Sequence, residues 1–242
     1  MNKKILSYVL FVNFMLIMTN FSYAYFEDYP PYKFHKRSFP HLKAETLVDF
    51  DKSEYKSEDG KIIARLKEDT DSLDFLVQDG DIVLAKMPER ETPLPWSVYR
   101  VDLDRNGLED FIIFYNYRGC GLAASANKVE IFLKKDKNIY QKISYDAMST
   151  GIEDFVDMDN DGKCEVIITD FYSGKKHNYF TYSIYEFKEY KLVNSDSKFE
   201  GFPKFVWITY KPNDKDTTHL TKEERIRHVD KKNKAIISNV VK

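Results

Sequence analysis

Read as alternating apolar and polar positions, the chain is a succession of short strands rather than a set of helices. KIIARL (61–66), LDFLV (73–77) and DIVLAKM (81–87) are brief β-friendly runs separated by acidic or glycine-bearing turns such as Gln78-Asp79-Gly80. ETPLPW (91–96) carries two prolines and is read as a break between structural units. Beyond it the pattern repeats. SVYRVDLDRNGLEDFIIF (97–114) aligns without a gap with IEDFVDMDNDGKCEVIIT (152–169), offset by 55 residues. KVEIFLKKDKNIYQKI (128–143) resembles TYSIYEFKEYKLV (181–193) more loosely, so each unit is predicted to hold one strand before an acidic loop, one after it, and a hairpin behind. FPKFVWITYK (202–211) reads as a third start without an acidic loop.

The helical exception is predicted near the C-terminus, where Thr221-Lys-Glu-Glu224 has the form of a capping box. The basic, weakly amphipathic sequence that follows reads as a short surface helix with a frayed end. The expected organisation is a leader over 1–24, an extended lead-in over 25–44, and a degenerate β unit over 45–94. Two repeats with a terminal strand then fill 95–211, and a basic helix and tail occupy 212–242.

The leader is inferred from Lys3 and Lys4, the apolar run Ile5–Met18 and the small-x-small pattern Ser22-Tyr23-Ala24. The run is short for a membrane span, which needs about 20 residues. Cleavage is therefore expected, an uncleaved anchor being the alternative, and the protein is expected to be exported to the periplasm or medium without stable membrane insertion. The lead-in YFEDYPPYKFHKRSFPHLK is aromatic and proline-rich, without periodicity. Hydrophobic residues make up 43% of the 242, enough for a core. Without the leader, 35 basic residues face 39 acidic ones, a balance that excludes a nucleic-acid binder in search of phosphates. Export makes a Cys120–Cys164 bridge possible, worth roughly 4 kcal/mol in the chain-entropy model; the alternative is two unpaired small residues at strand edges.

The acidic loops carry the candidate chemistry. Calcium takes six to eight oxygens, and a tight turn can present them from alternate residues. In the second loop Asp157, Asp159, Asp161 and Glu165 stand at positions 1, 3, 5 and 9, with the backbone carbonyl of Lys163 at 7. In the first the same places are Asp102, Asp104, Asn106, Asp110 and the carbonyl of Leu108. Gly107 and Gly162, at position 6, allow the positive φ a sharp turn needs. Turn-forming alone explains Asn-Gly or Asp-Gly, but not acids at positions 1, 3 and 9 as well. An EF-hand is excluded, since position 12 is Ile113 or Ile168 and strand-forming runs follow. Four carboxylates against three make the 157–165 loop the expected tighter calcium site.

VDLDRNGLED and VDMDNDGKCE resemble the FG-GAP or VCBS-type repeats of β-propeller blades, with an aliphatic residue leading into DxDxDGxxD and then a hydrophobic strand. The resemblance spans about residues 95–211 and implies antiparallel four-stranded blades with calcium in the loop joining the first two strands. A closed propeller has 4–8 blades, so two clear units imply an open or incomplete one within an all-β fold. Catalytic motifs such as GxSxG and HExxH are absent, and His177 stands alone. The expected function is a calcium-binding structural or recognition module for a protein or glycan partner, with an exported hydrolase or accessory domain as the alternative. NYFTYSIYEF (178–187) alternates aromatics that serve either core packing or such recognition.

Overall fold

The computed structural model describes residues 43–68, 72–87, 93–118, 126–148, 150–174, 178–207 and 220–242. The leader, most of the lead-in, Cys120, His177 and the end of the third start lie outside the described residues. The chain forms antiparallel β-sheets and one C-terminal helix. No described helix is long and apolar enough to cross a membrane.

Three sheets follow one another along the sequence. The first joins β2 (Glu54–Lys56), β3 (Ile62–Glu68), β4 (Leu73–Asp79) and β5 (Ile82–Met87) in chain order. The central sheet is built on β6 (Leu94–Val101), β7 (Asp110–Asn116), β8 (Ala126–Asp136) and β9 (Ile139–Met148), again in chain order. The third sheet runs through β10 (Phe155–Val156), β11 (Glu165–Ser173), β12 (Asn178–Lys188) and β13 (Lys191–Asn194), and β14 (Lys204–Trp207) also pairs with β12. Each of the three sheets thus contains a four-stranded antiparallel meander. Each acidic loop joins the first two strands of its sheet.

The sheets stack face to face. Phe111, Ile113 and Tyr115 on one face of β7 pack in a cluster with Phe75, Val77 and Leu84 of the first sheet. Ile112 and Phe114 on the other face join Phe155, Val166 and Ile168 of the third. Side chains alternate along a strand, so FIIFY is apolar throughout because both faces of its sheet are covered. At about 1.5–3 kcal/mol per large buried side chain, this double burial is the main favourable term holding the stack. A two-residue turn joins β4 to β5, β8 to β9 and β12 to β13. Glu189 and Tyr190 connect β12 to β13 at φ of 48° and 61°, the mirror-image turn that matches strand twist.

Three boundaries differ from those read in the sequence. β1 (Glu45–Val48) pairs with β6 rather than with the first sheet, so 45–48 belongs to the central sheet and not to the 45–94 unit. Pro95 lies inside β6, not in a break. It is tolerated because β1 reaches only Val98–Arg100, leaving Pro95 without a ladder partner on that side, and a bulge follows before Ser97. The tail does not fray. After α1 (Lys222–Ala235), β15 (Ile237–Val241) pairs with β9 as the other edge of the central sheet.

The helix has the expected capping box. Glu224 N–H donates to Thr221 Oγ1 at 3.2 Å, and Thr221 N–H to the Glu224 carboxylate at 2.9 Å. It buries no residue completely and docks through polar contacts. Tyr185 Oη donates to Asn233 Oδ1 at 2.9 Å, His228 Nε2 lies 3.0 Å from Thr181 Oγ1, and Lys232 pairs with Asp170 at 3.3 Å.

Candidate metal centre

The two acidic loops are the same turn built twice. The position-1 carboxylate accepts the glycine N–H at position 6: Gly107 to Asp102 Oδ2 at 3.0 Å, and Gly162 to Asp157 Oδ2 at 2.9 Å. Position 3 accepts from position 5, Asn106 N–H to Asp104 at 3.2 Å and Asp161 N–H to Asp159 at 3.1 Å. Position 5 accepts from position 7, with Leu108 to Asn106 and Lys163 to Asp161 both at 2.7 Å. Position 9 reaches back to position 2, Leu103 N–H to Asp110 at 2.8 Å and Met158 N–H to Glu165 at 2.6 Å. The longer arm of Glu165 therefore does the same work as Asp110. Positions 4 and 6 are left-handed in both loops, with φ of 56° and 80° at Arg105 and Gly107, and 59° and 85° at Asn160 and Gly162.

These bonds gather three carboxylates in each loop: Asp102, Asp104 and Asp110 in one, and Asp157, Asp159 and Glu165 in the other. One oxygen from each lies within 4.8 Å of the others in its set, so each cluster could hold a metal ion. Asp161 is not in the second set. It is exposed and spends an oxygen on the Lys163 N–H, as Asn106 does on Leu108. The side chain of Asn106 is further tied to the Lys134 carbonyl at 2.9 Å, a contact that the loop motif does not announce. The position-7 residues, Leu108 and Lys163, sit in the turn directly after the glycine.

The electrostatics describe a cluster that resists carrying all its charge at once. Burial pushes Asp110 up to about 8, against the N–H bonds from Lys134 and Leu103 and with the charges of Asp104 and Asp102 adding to it. Glu165 is pushed up to about 7, again by burial first, against the Met158 N–H and with its acidic neighbours contributing. Asp102 Oδ1 and Asp157 Oδ1, the second oxygens of the position-1 carboxylates, are buried and accept no hydrogen bond. Each such oxygen costs about 1–3 kcal/mol unless a partner satisfies it. The same unsatisfied atom at the same position in both loops is where a cation would be coordinated.

A third loop shows the alternative solution. Ser57–Lys61 joins β2 to β3, the equivalent connection of the first sheet, and contains Asp59-Gly60 with Gly60 at φ 71°. Here Ser57 Oγ donates to Asp59 at 2.7 Å and the Lys61 ammonium pairs with it at 2.9 Å. Those bonds hold the Asp59 carboxyl well below its usual range. In this loop an internal ammonium neutralises the Asp59 carboxylate. Asp-Gly between two β runs was its signal in the sequence.

Cys164, at position 8, points away from the carboxylates into the core between the central and third sheets. It is a free, buried thiol that burial holds well above its ordinary range, and Cys120, its candidate partner, lies outside the described residues. No protein-family model matches the chain, and neither a curated protein nor a solved structure matches it.

Proposed function

We propose that the protein is an exported calcium-binding β-repeat module whose role is structural or recognitive. The observation that carries this reading is the pair of buried, partnerless oxygens, Asp102 Oδ1 and Asp157 Oδ1, each in a three-carboxylate cluster. Calcium is favoured over magnesium because a flexible all-oxygen turn of carboxylates and carbonyls suits an ion of six to eight ligands. The ligands are Asp102, Asp104 and Asp110 with the Leu108 carbonyl, and Asp157, Asp159 and Glu165 with the Lys163 carbonyl. Asn106 and Asp161 complete the turns.

Three consecutive four-stranded meanders stacked face to face, two with a cation loop between first and second strands, support the FG-GAP or VCBS-type reading. On it each meander is a blade, and three blades make an open propeller. The leader supports export to a compartment where calcium is plentiful, and extracellular modules bind it at around 10⁻⁴–10⁻³ M. Binding only the folded state, the ions staple the first hairpin of two sheets. That holds the loop rim rigid for a protein or glycan partner.

Calorimetric titration with calcium is expected to show two sites, Asp102→Asn and Asp157→Asn each removing one. EDTA is expected to lower the melting temperature of the wild-type protein. No binding heat and no chelator-dependent melting shift would falsify the calcium reading.

A further inference from the structure

Along the sequence the two loops carry the same charge. Residues 102–110 hold four acids and one base, Arg105, and residues 157–165 hold four acids and one base, Lys163. In space this balance is broken. A Cβ placed on Gly162 would stand 2.1 Å from Arg105 Nη1 and 2.5 Å from its Cζ. The guanidinium of the first loop therefore lies against the backbone of the second, at the residue whose N–H holds Asp157. Gly107, the matching glycine of the first loop, has nothing within 4 Å of the same point. Arg105 makes no ion pair among the described residues, so its charge is not spent elsewhere.

Other charges accentuate the difference. Lys198 sits at the second loop. Its ammonium is bound to Glu186 and also feels the charges of Asp159 and Glu165. At the first loop the Lys134 ammonium is committed to Asp79, and Arg100 pairs at 3.0 Å with Glu109, which is outside the carboxylate cluster. With three carboxylates gathered in each loop, the extra acid Asp161 gives the second no advantage in the cluster itself.

We propose that Arg105 sets the cation affinity of the second loop, acting across the interface between sheets as a resident monovalent cation that weakens calcium binding there. This inference rests on the calcium reading. It turns round the order expected from acid count, making the 102–110 loop the tighter site. The chain uses the same device at Lys61, where an ammonium neutralises the first sheet's loop. The guanidinium repels an incoming ion, and in the ion's absence it relieves repulsion among the carboxylates.

Those two actions have opposite signs, and the test reads both. Calcium titration of the purified protein is compared for wild type, Arg105→Gln and Arg105→Lys, with Asp157→Asn identifying which isotherm belongs to the second loop. Arg105→Gln is expected to tighten that site roughly fivefold at low ionic strength, the gain fading as salt screens the charge. Arg105→Lys, which keeps the charge, is expected to stay close to wild type. In EDTA, Arg105→Gln is expected to melt below wild type. A merely structural arginine would lower the melting temperature without tightening the site. Calcium binding with unchanged second-loop affinity in Arg105→Gln overturns this inference alone. Absence of calcium binding in the wild type overturns the calcium reading and this inference together.

Discussion

Glu130 is the most informative charge in the central sheet outside the loops. It lies on β8, 3% exposed, and its carboxylate is enclosed by three donors. Lys128 Nζ stands at 2.7 Å, Lys142 Nζ at 2.8 Å and Tyr115 Oη at 2.9 Å. Burial alone would push its pKa up, but the hydrogen bonds and charges of the two ammonium groups together outweigh it and hold the group below the ordinary value. Breaking a fully buried pair costs about 3–5 kcal/mol. The lysines here are 33% and 28% exposed, so water takes over part of their solvation. A glutamine still accepts some of the bonds. The expected loss for Glu130→Gln is therefore about 2 kcal/mol at pH 7, a drop in melting temperature of roughly 4–8 °C for a chain of this size.

The sign with pH follows from the lowered value. A carboxylate depressed in the folded state contributes fully above its unfolded pKa, about 4.3. It loses that contribution as pH falls through the folded one. Protonated glutamate resembles glutamine, so the gap between wild type and variant should close on acidification. The assay is urea unfolding in EDTA at several pH values between 7 and 3. A gap that persists unchanged at pH 3, or a variant at least as stable as wild type at pH 7, would refute the reasoning.

The other predictions concern the turns, the core and the helix. Gly107→Ala, at φ 80° with open space beside it, is expected to cost about 1–2 kcal/mol of backbone strain. Gly162→Ala should cost slightly more in urea unfolding, because it must also displace Arg105, and Arg105→Ala should remove the excess. Phe114→Ala empties a fully buried ring site between the central and third sheets, where Trp96, Tyr99 and Phe155 lie 5.5, 5.8 and 6.1 Å away. It is expected to cost about 3–5 kcal/mol by denaturant unfolding. Burial holds His228 below its ordinary value, partly opposed by Asp170 and helped by Lys232 and Lys231. The docking of α1 should therefore be full above about pH 6.5 and weaken as pH falls through the lowered value. Faster amide exchange in 222–241 at pH 5 than at pH 7.5, corrected for intrinsic rates, checks this.

Much of this architecture was legible because local chemistry and tertiary environment agreed. FIIF and VIIT read as strands, and they are strands buried on both faces. The acids at positions 1, 3 and 9 read as a cage, and the backbone brings one oxygen of each within 4.8 Å of the others. The capping box at Thr221 marked a helix that begins there. What escaped depends on partners remote in sequence. ISNVV looks like a frayed tail until β9 supplies its ladder, and ETLV looks like part of the first sheet until β6 claims it. Glu189-Tyr190 carries neither glycine nor asparagine, so nothing local announces its left-handed turn. The direction of Arg105 likewise depends on a glycine 57 residues away in another sheet.

The edges of the central sheet have a consequence in time. Its outer strands are β1 and β15, the first and the last described, and Gln141 on β9 hydrogen-bonds to Ser238 across 97 residues. The border of the middle layer is therefore sealed only when two segments remote in sequence have both docked. A nascent chain emerging from the N-terminus forward can form local hairpins but cannot finish this sheet. Until β15 docks, β9 presents an open ladder edge that local hairpins alone do not close.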